Sequence, residues 1–452
     1  MLKNNLDNYI DNLLFQEEIR QDKNITFIAS EWAMMAPVRK ALSSVFAEKY
    51  FEGTPVDSSY NILREKGLID RELTSLKKPG WFSPGCSIYD DLSWLCQSTL
   101  LDLFDPEKLS SYYVDNRVLS GSQANQAVFL SIMKKNKKRE LKILSLDLIH
   151  GGHLSHGIKS SLIGILHEII PYHVNKITET VDYQELESIA FNQKPDLIIY
   201  GGSSCPRDWD HNKMVDIVSK LPDSNLLFDG SHPAGLIATG LNNNPFHAGV
   251  HFITMTTNKT LCGARGAFVA CLPQWAEVLA KAVFPGLTAG PHGHEMYAKL
   301  IGYRCAKKNN FIELMHTVKN NASLMARELS EEHGLRIVTG GTDTHMVLVD
   351  IRTDTNKPIS GLDVEILAEE CGIYMNRNTI PFDPQPDQNK TSGVRIGLGS
   401  VSQRGMGSEH IKELSMLISL IIKDGKSFAT KNFVKKRVLE LTSSFPIMQF
   451  YR

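Results

Sequence analysis

Between residues 110 and 275 the chain repeats one pattern, a short apolar run followed by a helix-like stretch. The runs are LKILSLD (141–147), PDLIIYGG (195–202), NLLFDGS (225–231), HFITMTT (251–257) and GAFVAC (266–271). They are rich in Ile, Leu and Val with little polar alternation, so they read as strands buried on both faces. Strands of that kind separated by helices build a mainly parallel α/β sheet. Two regions stand outside the repeat. Residues 1–25 mix acids with apolar residues at helical spacing and read as an amphipathic helix. Late in the chain the long helical stretch KKNNFIELMHTVKNNASLMARELSEEHG precedes MVLVDI, CGIYMN and VRIG, which suggests a smaller α+β domain. We expect a helical arm over 1–30, a large sheet domain over 31–305 and a small domain over 306–452. The 452 residues suffice to bury that core without staples.

Composition narrows the function classes. Apolar residues make up 42% and charged residues 22%, ordinary for a soluble globular chain. A formal net charge of −1 supplies no field for nucleic acid or an anionic membrane. The basic run KKNKKRE (134–140) follows a helix, precedes a strand and contains no aromatic residue, so it reads as a solvated turn. No run of about 18 apolar residues is present, and LSMLISLII is too short to span a bilayer. The first residues lack the apolar core and small-residue cleavage site of a secretory leader. Seven scattered cysteines without a CxxC pair suit reduced thiols in a cytoplasmic protein.

Open α/β sheets bind ligands beyond the C-terminal ends of their strands. NLLFDGSH ends in Asp229 and His232, HFITMTTNK in Thr256, Thr257, Asn258 and Lys259, and PDLIIYGGS in Ser203. A carboxylate leaving an apolar strand is costly unless it meets a cation. A protonated pyridine nitrogen is such a cation, and keeping it protonated makes the ring an electron sink. A nearby lysine forms the imine such a cofactor needs. Alone, Asp229 reads as a turn residue and Lys259 as a solvated lysine. Thirty residues apart, they have the spacing of a strand–helix–strand unit.

The segment LSGSQANQA (119–127) adds a phosphate site. Gly121 lets the backbone approach an anion, Ser122 offers a hydroxyl, and the helix that follows attracts phosphate at its N-terminus. A serine N-cap without ligand is the competing reading. In HGGHLSH the residues His150, His153 and His156 recur every three positions. Two glycines disfavour a helix there and no acidic or cysteine ligand accompanies them. Stacking of one imidazole on a flat cofactor ring is therefore the better reading, and we expect no metal.

Taken in order, several segments resemble the serine hydroxymethyltransferase family of fold-type I pyridoxal-phosphate enzymes. They are ITFIASE (25–31), EKYFEGTP (48–55), SGSQAN (120–125), LDLIHGGHLSHG (146–157), FDGSHPAGL (228–236), TTNKTLCGARG (256–266), VFPGLTAGP (283–291), TGGTDTHMVLVD (339–350), NRNTIPFDP (376–384) and TSGVRIG (391–397). The resemblance implies that Lys259 holds the cofactor as an imine, Asp229 partners the pyridine nitrogen and His153 stacks on the ring. It implies that His232 and Ser203 lie near the ring hydroxyl, and that Ser120, Gly121 and Ser122 cradle the phosphate, with Thr256 also at the cofactor. Arg395 and Ser30 match contacts to the substrate carboxylate. Tyr50, Glu52 and Tyr60 match residues reaching the site from a second subunit, and Gly290 a phosphate contact across the same interface. The implied protein is a homodimer with shared sites, or a tetramer of two such dimers, and Glu52 is the candidate for moving protons at the side-chain oxygen.

The implied reaction interconverts serine and glycine by retro-aldol cleavage, with tetrahydrofolate carrying the released carbon. Leu148, Gly151, Gly152, Leu154 and Asn378 match folate-side positions. Four departures support an alternative, a folate-independent aldolase, transaldolase or hydroxymethyltransferase acting on a β-hydroxy amino acid. Asn258 stands where the family has a histidine. EGTPVDSSYNI replaces EGYPGKRYYGG, which puts Ser59 where a tyrosine is expected. Ala289 replaces a glycine. PDQNK (386–390) replaces an apolar pair before TSGVR. A non-catalytic scaffold is the third reading, and the joint presence of Lys259, Asp229 and Arg395 speaks against it.

Overall fold

The computed structural model describes residues 2–352, 359–383, 390–447 and 450. The chain opens with helix α1 (Leu2–Lys23). The apolar runs then form a seven-stranded sheet of β1 (Tyr113–Asp115), β2 (Lys142–Leu146), β3 (Glu168–Tyr172), β4 (Leu197–Gly201), β5 (Asn225–Asp229), β6 (Phe252–Thr256) and β7 (Ala267–Cys271), in spatial order β1-β7-β6-β5-β4-β2-β3. Neighbours from β6 to β3 are parallel, and β7 runs antiparallel to both β1 and β6. Every residue of β4 and β5 is buried, as expected of central strands covered on both faces.

Helix α2 (Gly121–Asn136) packs on the sheet through Ala124, Ala127, Val128 and Ile132. Ser120 caps it by accepting from the Gln123 N–H. It ends at Lys137 in the left-handed region, so the run expected as a turn is in part its last turn, Lys134–Asn136, and in part the connection Lys137–Glu140, all of it exposed. Helix α3 (Gly293–Ala306) carries the buried residues Met296, Lys299, Leu300 and Tyr303. No disulfide joins any of the seven cysteines. Among the described residues no helix is long and apolar enough to cross a membrane.

By contacts the chain forms two compact units, 34–315 and 1–33 with 316–452. The break lies ten residues beyond the sequence boundary at 305, inside the helix Asn309–Arg327. The helical arm belongs with the C-terminal residues. Ile25–Thr26 pairs in parallel with Ile373–Tyr374, and α1 packs against the late helix Phe428–Ser444. This second unit holds an antiparallel sheet of β8 (Arg336–Ile337), β9 (Met346–Asp350), β10 (Asn376–Asn378) and β11 (Gly393–Gly397), ordered β8-β9-β11-β10. Val347, Val349, Ile396, Leu414 and Ile418 build its core together with Ile25 and Phe27.

Candidate active site

The parallel register levels the C-terminal ends of the central strands. Gly201 of β4 stands beside Asp229 of β5, and Asp229 beside Thr254 of β6. Ser203 follows β4 by two residues and Lys259 follows β6 by three. The N-terminus of α2 meets the same edge. A Cβ on Gly121 would come within 2.9 Å of Thr256 Cγ2, so only glycine lets the helix start this close to β6. Ser120 and Ser122 are exposed on either side of it. The Thr256 hydroxyl donates to the Ser231 carbonyl (3.2 Å), and the Thr256 N–H donates to Ser231 Oγ (3.3 Å).

Asp229 is the centre of a buried network. Its Oδ2 pairs with His156 Nε2 at 3.0 Å and accepts from Asn125 Nδ2 at 2.9 Å, while Oδ1 accepts from the Ser231 N–H. Asn125 also donates to Ser155 Oγ (3.0 Å) and accepts from Thr254 Oγ1 (2.7 Å). Ser155 Oγ lies 2.7 Å from His153 Nδ1. Burial alone would raise the Asp229 carboxyl. The hydrogen bond and charge of His156, the charge of His153 and the Asn125 amide outweigh it and hold the group far below the usual carboxylate range. An anion is thus kept ionised at a strand end. Sequence reasoning missed Asn125, although SGSQAN contains it, and weighed His156 as a metal ligand or a stacking imidazole but not as a partner of Asp229. The fold supplies the acid that HGGHLSH lacks, since ligand atoms of His153, His156 and Asp229 lie within 4.8 Å of one another. That spacing would admit a metal, but the carboxylate oxygen facing His156 already takes two hydrogen bonds.

The loop after β2 folds over the end of β4. Ser203 donates from its N–H to the Gly151 carbonyl (2.9 Å) and from Oγ to the Gly152 carbonyl (2.8 Å). Leu148 is half-buried and Leu154 is exposed. His232 is buried, and its carbonyl accepts from Thr260 Oγ1. Elsewhere in this unit the ring of Tyr50, itself exposed, lies over Gly290, where a Cβ would come within 2.7 Å of Tyr50 Cζ. Glu52 is half-buried, and its carbonyl accepts from the Phe82 N–H. Tyr60 has local partners that the resemblance does not imply. It is buried, its hydroxyl donates to the Arg71 carbonyl and accepts from the Leu73 N–H, and so its one proton is committed within the chain. Ser59 donates to Asp91.

In the other unit Arg395 lies on β11 between β9 and β10. Its Nε donates to Asn376 Oδ1 (3.1 Å), and burial pulls its guanidinium down to about 10. The segment bearing Ser30 runs alongside, since the Gly397 N–H donates to the Phe27 carbonyl. Asn378 closes β10, with its amide donating to the Thr379 carbonyl. Residues 386–389 of PDQNK lie outside the described residues.

Pyridoxal phosphate fits the sheet edge. Ser120, Gly121 and Ser122 at a helix N-terminus suit its phosphate, ionised Asp229 suits its ring nitrogen, and Lys259 suits its aldehyde. A mostly parallel seven-stranded sheet with this edge and a smaller strand-rich unit are those of a fold-type I pyridoxal-phosphate enzyme. More narrowly, residues 78–418 match the serine hydroxymethyltransferase family, and the chain belongs to that family. It is thereby a member of a family of pyridoxal-phosphate-dependent transferases.

Proposed function

We propose that the chain interconverts serine and glycine, passing the hydroxymethyl carbon to tetrahydrofolate. The observation that carries this reading is the ionised, buried Asp229 at the sheet edge that also presents the α2 N-terminus and Lys259. Bound pyridoxal phosphate supplies the electron sink for carbon–carbon cleavage. Asp229 holds the proton on its ring nitrogen, with Asn125 and His156 holding Asp229. His153 lies against the ring, Ser203 and His232 flank its hydroxyl, and Ser120, Gly121, Ser122 and Thr256 hold the phosphate end. Lys259 would hold the cofactor through its aldehyde carbon. Arg395, with Ser30, orients the serine carboxylate. A desolvated guanidinium gains most from a bidentate anion, and its depressed titration supports that role. Glu52 moves a proton at the side-chain oxygen. Leu148, Gly151, Gly152, Leu154 and Asn378 form the folate side. Tyr50, Glu52, Tyr60 and Gly290 serve the site of a second copy in a homodimer, and the exposed apolar residues Leu6, Tyr9, Ile10, Leu13 and Leu14 of α1 offer further surface to bury.

A second reading rests on the committed Tyr60 hydroxyl, on Ser59 and on Asn258 beside Lys259. Here the enzyme cleaves or makes a β-hydroxy amino acid without folate. One experiment separates the two. Serine is supplied to the holoenzyme with and without tetrahydrofolate, and glycine and methylene-folate are measured. Folate-dependent formation of both supports the first reading. Cleavage of larger β-hydroxy amino acids with no response to folate overturns it in favour of the second.

A further inference from the structure

Helix α3 buries a lysine that the proposed chemistry does not use. Lys299 is 1% exposed, and its three N–H donors go to three carbonyls, those of Asn116 (2.8 Å), Val118 (2.8 Å) and Ala267 (2.9 Å). Asn116 and Val118 belong to the segment that joins β1 to the Ser120 cap of α2. Ala267 opens β7 opposite Thr256, at the base of the hairpin that carries Lys259. The same hairpin is pinned by the Thr257 N–H on the Gly266 carbonyl and by Thr257 Oγ1 on the Ala264 carbonyl. Gly266 lies so close that a Cβ would meet Lys299 Cε at 2.5 Å. One turn further along α3, the Tyr303 hydroxyl holds Asn116 Oδ1 at 2.7 Å.

A buried ammonium is expensive, and an apolar side chain of similar shape would fill the space at lower cost. Desolvation draws Lys299 down to about 8 against the opposing pull of Glu295, Cys96 and Asp115, so at neutral pH it keeps the three protons its carbonyls require. Those carbonyls come from two segments far apart in sequence, and the two segments carry the phosphate cradle and the lysine anchor.

We propose that Lys299 is a positioning residue for the cofactor: it clamps the segment entering α2 to the hairpin bearing Lys259 and sets the distance between the phosphate and lysine anchors. The proposal rests on the cofactor reading above. It is tested on the full chain freed of cofactor, unaltered and as Lys299→Met. Pyridoxal phosphate, which uses both anchors, and pyridoxine phosphate, which keeps the phosphate and ring but lacks the aldehyde that joins Lys259, are titrated by tryptophan fluorescence. Cofactor-free melting temperature is followed alongside. Lys299→Met should weaken pyridoxal phosphate by about tenfold or more while pyridoxine phosphate weakens much less, because misplaced anchors penalise only the ligand that must reach both. Equal losses for the two ligands, or no loss, overturn the clamp. If Lys299→Met does not fold, Tyr303→Phe decides by the same comparison, with an expected differential loss of about threefold. Failure of the unaltered chain to bind pyridoxal phosphate would overturn the cofactor reading itself and not the clamp alone.

Discussion

Asn125→Ala strips the Asp229 network of its most connected member. Asn125 is fully buried and makes three side-chain hydrogen bonds, donating to Asp229 and Ser155 and accepting from Thr254. The bond to the carboxylate is charge-assisted, and its loss costs about 1.5–3 kcal/mol. Thr254, also fully buried, is left with a donor that has lost its acceptor, at a further cost of about 1–3 kcal/mol. Water entering the small cavity recovers part of this, so the net loss should be about 3 kcal/mol, read from urea unfolding of the cofactor-free chain at neutral pH. The carboxylate share has a pH signature. Asp229 is depressed below its ordinary 3.8 in the folded chain, so the stability it contributes is present above that value and is lost as pH falls below it. Both chains share that loss until the variant's own, less depressed carboxyl takes up its proton, and only below that point should the gap between them narrow. A neutral-pH loss under about 1 kcal/mol, or a gap that widens into acid, refutes the reasoning.

Three further outcomes are expected. Lys259→Ala should abolish turnover and the visible absorption band of the lysine-bound cofactor, and normal steady-state turnover would overturn its role. Arg395→Lys keeps a charge but loses the bidentate fork, so KM for serine should rise about 10- to 100-fold, and a KM within about twofold of the original would count against it. Burial, aided by the charge of His173 and opposed by Asp147, lowers His150 from 6.5 to about 4 while its Nδ1 accepts from the Val174 N–H. The unfolded chain therefore takes up a proton between pH 6.5 and 4 that the folded chain refuses, so stability falls as pH falls across that window. His150→Asn should flatten that slope in thermal melts, and an unchanged slope would assign it to other groups.

The central strands were legible because they are buried on both faces. All five apolar runs are strands, trimmed by a residue or two at their ends. The edge strands were not. Tyr113–Asp115 is only three residues long, and Glu168–Tyr172 carries Pro171, which an edge tolerates and a central strand does not. At the site, Asp229, Lys259 and the Gly121 turn could be found from strand ends and helix-cap chemistry. Asn125, Ser155 and Thr254 could not, because each becomes polar machinery only when three distant segments meet at Asp229. Tyr60 shows the converse. Its match to a family position is sound in sequence, yet the local chain turns its hydroxyl inward to Arg71 and Leu73. The expected boundary at 305 and the contact break after 315 differ because helical periodicity runs without interruption through Asn309–Arg327 and says nothing about which unit each turn packs on.

The parallel pairing of Ile25–Thr26 with Ile373–Tyr374 has a consequence for synthesis on the ribosome. At translation rates of about 5–20 residues per second, the early segment waits roughly 20–70 seconds for its partner strand to be made. The 34–315 unit is complete well before then and needs nothing from the first 33 residues to close its own sheet. Throughout that interval Ile25 and Phe27, buried in the finished core, wait for packing partners between 322 and 441 that are still unmade. The growing chain thus exposes for that interval two large apolar side chains that the finished unit hides completely.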